Sequence, residues 1–175
     1  MKWPIQFLTK IGISPHFIRN MLEKFGHLDK GDAKALNDID KYGCHILHVL
    51  EEGEYPRFSY SVGIEKCTGQ PEIIVTGLKM ELAQWMINEY NQRIKSGEVF
   101  EPNKLYDGFL DDFQIMFKEV QKFHFPEDFG WCKWPYGDDS FRVFQLIYPG
   151  TSGMWPWDEN APEDLAWFIP QLYAD

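Results

Sequence analysis

The chain has 175 residues, 44% of them hydrophobic and 25% charged, which suits one globular domain with a sizeable core and excludes a disordered chain. Its 27 acidic residues against 17 basic ones leave a net charge of −10, without the basic face that nucleic acid or an anionic membrane requires. A basic protein partner would be steered toward such a chain instead.

In chain order, Ser14-Pro15 reads as an N-cap followed by proline at the first helical position. Phe17, Ile18, Met21, Leu22 and Phe25 then share a helical stripe that Gly26 can close, so residues 1–29 form a helical extension ahead of a domain over 30–175. A second short helix is expected over 32–41, with Leu36 and Ile39 inward and Gly43 beyond its end. "CHILHVLE" (44–51) is a β-prone run, and "RFSYSVGI" (57–64) alternates, so the two suggest a hairpin. "CTGQP" makes the next turn and "EIIVTG" (72–77) is a strand of the buried type.

The clearest helix covers 80–95, where Leu82, Ala83, Met86, Ile87, Tyr90 and Ile94 line one side and Ser96-Gly97 stops it. "FQIMFKEVQ" (113–121) and "FRVFQLIYP" (141–149) are further strands, joined by a turn-rich aromatic connection. The connection from the 72–77 strand to the 113–121 strand is long enough to join parallel or separated strands. The tail, "PEDLAWFIPQLYAD", holds a turn of helix before Pro170. Together these predict an α+β fold: one mainly antiparallel sheet of about five strands, open or barrel-like, under one long covering helix.

The cysteines Cys44, Cys67 and Cys132 are widely spaced and odd in number, which points to a reducing cytoplasm. The opening "MKWPIQFLTKIGIS" does not read as a signal peptide, because Lys10 breaks its apolar stretch. No metal site is expected. His45 and His48 point to opposite faces of a strand, and no HExxH or CxxC pattern is present. There is no GxSxG elbow, and Cys44 faces away from its neighbour His45, so serine or cysteine catalysis finds no support.

Two weak anion-binding signals remain. Arg57, Ser59 and Ser61 lie on the polar face of one strand, and "TGL" (76–78) precedes the N-terminus of the long helix. The loop "GTSGMWPWDE" (150–159) is a third feature. Trp155 and Trp157 flank a proline, so an extended segment puts both rings on one side, with Asp158 and Glu159 beside them. They would cap the sheet, or stack a planar or cationic group.

The pieces "YGCHILHVLEEGEYPRFSYSVGIEKCTGQPEIIVTGL", "NEYNQRIKSGE" and "FQLIYPGTSGMWPWDE", in that order, resemble the bacterial family called domain of unknown function 4262. The shared features are Gly43, the Phe58 to Ile64 strand, Pro71 to Ile73, Gly77-Leu78, Gln145 to Pro149 and Trp155 to Asp158, a likeness that covers roughly residues 30–172. Phe144 stands where the family has an aliphatic residue, and Thr151-Ser152 where an Asp-bearing turn is common. The resemblance implies no activity. It does group Arg57, Tyr60, Ser61, Gln145, Trp155, Trp157 and Asp158 as candidate ligand-binding residues near one end of the sheet.

Three functions follow. The leading one is a binding or interaction protein, such as an acidic immunity or antitoxin-type partner of a basic protein, supported by the charge and by acid pairs such as Asp158-Glu159. The alternative is a flavin- or nucleotide-binding enzyme resembling split barrels, with FMN as cofactor, in which Arg57, Ser59 and Ser61 hold phosphate and Trp155 or Trp157 stacks the ring. A hydrolase using Asp158 or Glu159 with His45 or His124 has only residue types in its favour.

Overall fold

The computed structural model describes residues 30–125, 129, 132, 136 and 140–174. The helix expected over 15–26 and the tryptophans Trp131 and Trp134 lie outside the described residues. The chain divides into two compact units, residues 1–45 and 46–175.

In the first unit, helix α1 (Lys30–Tyr42) carries Asp32 in its first turn and Lys41 in its last, signs that complement the helix dipole. Ala35, Leu36 and Ile39 are its buried residues. Gly43, at φ 81°, ends it, donating its N–H to the Ile39 carbonyl at 2.8 Å. Only glycine takes that left-handed conformation at little cost, which is why the helix stops there.

The sheet has six strands: β1 (His45–Val49), β2 (Phe58–Val62), β3 (Glu72–Thr76), β4 (Leu105–Tyr106), β5 (Ile115–Glu119) and β6 (Val143–Ile147). Their order is β1-β2-β3-β6-β5-β4. β2 pairs with β3, β5 with β6 and β4 with β5 antiparallel, whereas β3 and β6 run parallel. The sheet is therefore mixed, with one strand more than expected. It is also open: among the described residues no pairing joins β1 to β4, so the sheet does not close into a barrel. The added strand, β4, is two residues long, too short to leave an alternating pattern, and such short edges resist further pairing.

The parallel pair explains why β3 and β6 read as mainly apolar runs, interrupted only by Glu72, Thr76 and Gln145. Every residue of "EIIVT" and "VFQLI" is buried, as strands covered on both faces are. Helix α3 (Met80–Lys95) packs across β2 and β3 through Ala83, Met86, Ile87, Tyr90 and Ile94. Leu82, expected inward, lies at the margin of that stripe and is exposed beside Trp85. Tyr90, Phe100, Tyr106, Phe109 and Phe117 form a mutual cluster with ring centroids 4.9–5.9 Å apart.

Between β2 and β3, part of the stretch expected as strand end and turn is instead a short helix, α2 (Ile64–Thr68). Glycines at φ 107° (Gly63) and φ 78° (Gly69) bracket it. A last helix, α4 (Glu163–Phe168), precedes Pro170.

Candidate functional site

The antiparallel pairing of β2 with β3 sets Phe58 opposite Thr76, so the start of β2 lies beside the end of β3. The Gly77 N–H donates to the Arg57 carbonyl at 2.8 Å and extends that pairing by one rung. Since α3 begins three residues after Gly77, Arg57 and the first turn of α3 are forced together. The result is a cleft of about 420 Å3 whose lining includes His48, Arg57, Ser59, Lys79 and Glu81. Two separate sequence signals, the Arg57–Ser59 face and the turn before the long helix, thus share one cavity.

Within the cleft the His48 ring Nδ1 is hydrogen-bonded to the Ser59 hydroxyl at 2.7 Å. Ser59 is buried and His48 half-buried, so the pair presents one oriented ring at the wall. The Arg57 guanidinium donates to the Glu51 carboxylate at 3.2 Å, and both side chains are exposed. An exposed pair of this kind contributes little to stability and can exchange partners at small cost. Helix α3 has Lys79 at its N-cap and no side-chain cap hydrogen bond, and Lys79, Met80 and Glu81 line the cleft, so no side-chain cap competes for the amide groups of its first turn. The arrangement has the guanidinium, hydroxyl and helix-end donors that suit an anionic oxygen.

The other predicted site residues lie elsewhere. Ser61 is fully buried and donates at 2.5 Å to Glu72, while its own oxygen accepts the Ile73 N–H at 3.0 Å. Tyr60 is buried edge-on to Phe129, with ring centroids 5.4 Å apart. Gln145, also buried, donates to the Pro170 carbonyl at 2.7 Å and accepts from the Leu172 N–H at 3.2 Å, so it holds the C-terminal segment. Trp155 and Trp157 do share one side. Their rings stack on each other, 5.1 Å apart and 5° from parallel. The Lys118 ammonium stands 5.5 Å from the Trp157 ring, and Asp158 accepts the Trp155 N–H at 2.7 Å as a turn cap. Among these residues, the structure brings only Arg57 into the cleft.

Glu72 is the residue that sequence reasoning passed over. Its carboxyl is completely buried and receives Ser61, the Gly63 N–H at 2.7 Å, the Glu65 N–H at 3.3 Å and the Tyr136 hydroxyl. Burial drives its pKa up, against the pull of those four hydrogen bonds. The same burial, with Glu72 nearby, raises the Tyr136 hydroxyl and the Cys132 thiol. The signal was an acid at the head of a strand that is otherwise wholly apolar, "PEIIV". This network ties β2, α2 and β3 to Tyr136.

In the first unit, the His45 ring meets Asp38 at 2.8 Å, and burial lowers its pKa against that pairing. Cys44 and Cys132 are buried and Cys67 is exposed, none of them in a disulfide. Among the described residues no three His, Cys, Asp or Glu side chains gather as a metal site would need. No helix there is long and apolar enough to cross a membrane.

An open mixed sheet in an α+β fold, with a cleft of mixed lining where β2 meets the head of its covering helix, defines the class of the protein. The chain belongs to the family described as a domain of unknown function (DUF4262), whose sequence model matches residues 38–162. Neither the curated proteins nor the solved structures contain a match to it. The matched stretch includes the whole lining of the cleft.

Proposed function

We propose that the protein is a binding protein whose cleft at His48, Arg57, Ser59 and the head of α3 takes a small molecule through a phosphate or similar anionic group. The observation that carries this reading is the meeting of Arg57 and Ser59 with the uncapped first turn of a 16-residue helix in one cavity. A nucleotide or FMN is the ligand class that matches these donors. Glu51 and Glu81 at the rim disfavour a highly charged polyanion and suit a single phosphate group. Calorimetric titration with inorganic phosphate, AMP and FMN tests the reading. Binding that Arg57→Gln weakens about tenfold, the loss expected of one charge-assisted hydrogen bond, supports it. Absence of binding to all three rejects it.

A second reading is favoured by the net charge of −10 together with exposed Leu82, Trp85 and Trp157. In that reading the protein acts as an acidic immunity- or antitoxin-type partner of a basic protein. Association that weakens steeply with added salt is its signature, since steering by charge is screened.

A further inference from the structure

A second cavity, of about 380 Å3, lies between the β2–β3 pair and the C-terminal segment, away from the anion-binding donors. Its walls include Phe58, Ile74, Thr76, His124, Trp167 and Leu172. The alternation of β3 puts Ile74 and Thr76 on one face, and the register sets Phe58 opposite Thr76. The covering segment is held firmly. The Trp167 indole N–H donates to the Glu54 carbonyl at 2.9 Å, and Gln145 engages both Pro170 and Leu172. The cavity is therefore pre-formed rather than a gap under a loose tail.

One wall residue is out of keeping with the mainly apolar lining. Thr76 is 3% exposed, and its hydroxyl oxygen has no hydrogen-bond partner among the described residues. A buried hydroxyl left unpaired is costly, and valine has the same shape without that cost. Among the described residues no lysine or arginine lines the cavity to meet an anion. Largely apolar walls with one unsatisfied polar group are the usual make-up of a small-molecule pocket.

We infer that this cavity is a second ligand site, which takes an uncharged, mainly apolar molecule bearing one hydroxyl or carbonyl group that pairs with the Thr76 hydroxyl once rotation about the Thr76 Cα–Cβ bond turns that enclosed hydroxyl into the cavity. Its roof, residues 166–172, lies beyond the stretch that the family model matches. The site is independent of the phosphate reading, sharing with that cleft only the Phe58 side chain.

Equilibrium dialysis of the whole protein against 2-naphthol, and against naphthalene as the analogue without a hydroxyl, tests this. The expected result is saturable one-to-one uptake of 2-naphthol that inorganic phosphate does not displace. Thr76→Val weakens that uptake about tenfold while leaving naphthalene uptake unchanged, and Thr76→Ser, which keeps the hydroxyl, retains it. The inference is overturned if 2-naphthol does not bind saturably, if Thr76→Val leaves its uptake intact, or if naphthalene uptake falls in parallel.

Discussion

Ser61 donates a 2.5 Å hydrogen bond to the buried carboxyl of Glu72, and its own oxygen accepts the N–H of Ile73, the residue that follows Glu72 on β3. One serine thereby joins β2 to both the side chain and the backbone of β3. Leaving the remaining donors unpaired is what makes Glu72 hard to replace. Glu72→Leu is expected to cost at least about 3 kcal/mol, because Ser61, Gly63, Glu65 and Tyr136 all lose an acceptor. Urea unfolding measures this, and a loss under about 1 kcal/mol would show that water replaces the carboxyl.

The same group gives a pH dependence. Burial raises its folded pKa above the ordinary 4.5, so between 4.5 and that raised value the folded state holds a proton that the unfolded state has released. Its contribution to stability is therefore full below 4.5 and declines as pH rises through the window. Glu72→Gln, which cannot ionise, removes that decline. Urea midpoints of the two proteins, followed upward from pH 4.5, should converge in favour of the variant. Parallel curves would count against a raised pKa.

Gly77 joins β3 to the turn before α3 at φ 74°, with Phe168 pressed against it. A Cβ there would lie 2.6 Å from the Phe168 carbonyl oxygen and 2.9 Å from the Tyr148 hydroxyl. Gly77→Ala therefore meets backbone as well as an unfavourable φ, and a loss of about 2–4 kcal/mol is expected. A thermal midpoint within a degree or two of the parent would mean that α4 moves aside freely.

Gln145 is fully buried in the central strand β6, yet both ends of its amide serve the C-terminal segment. Gln145→Leu keeps the volume and strands the Pro170 carbonyl and the Leu172 N–H, at about 2–3 kcal/mol. Hydrogen exchange should accelerate at Leu172 well before it does in β3. Unchanged protection of Leu172 would show that other contacts hold the tail.

Removing the Thr76 hydroxyl should act in the opposite sense. Without bound ligand, Thr76→Val is expected to stabilise the fold by about 1 kcal/mol, since it deletes an unpaired buried polar atom. A lower thermal midpoint for the variant would show that the hydroxyl has a partner in the folded protein.

Local order was legible wherever local periodicity was strong. The 3.6-residue stripe of Ala83, Met86, Ile87, Tyr90 and Ile94 places α3 over 80–95, and the alternation of "RFSYSVGI" places β2. The helix near 32–41, the glycine that ends it and the turn of helix before Pro170 carry equally local signals. The family likeness was legible too, because its motifs sit in those strands and turns. What no local pattern carries is which strand lies beside which. The insertion of β6 between β3 and β5, parallel to one and antiparallel to the other, depends on closing loops dozens of residues long. The pairing of β2 with β3 brings Arg57 to the head of α3 and Glu72 to Ser61, and Thr76 then lies in a cavity wall. Side-chain period is a property of a segment, so composition and spacing determined the elements. Register and burial are properties of pairs of segments far apart in the chain, so only the tertiary structure decided the site.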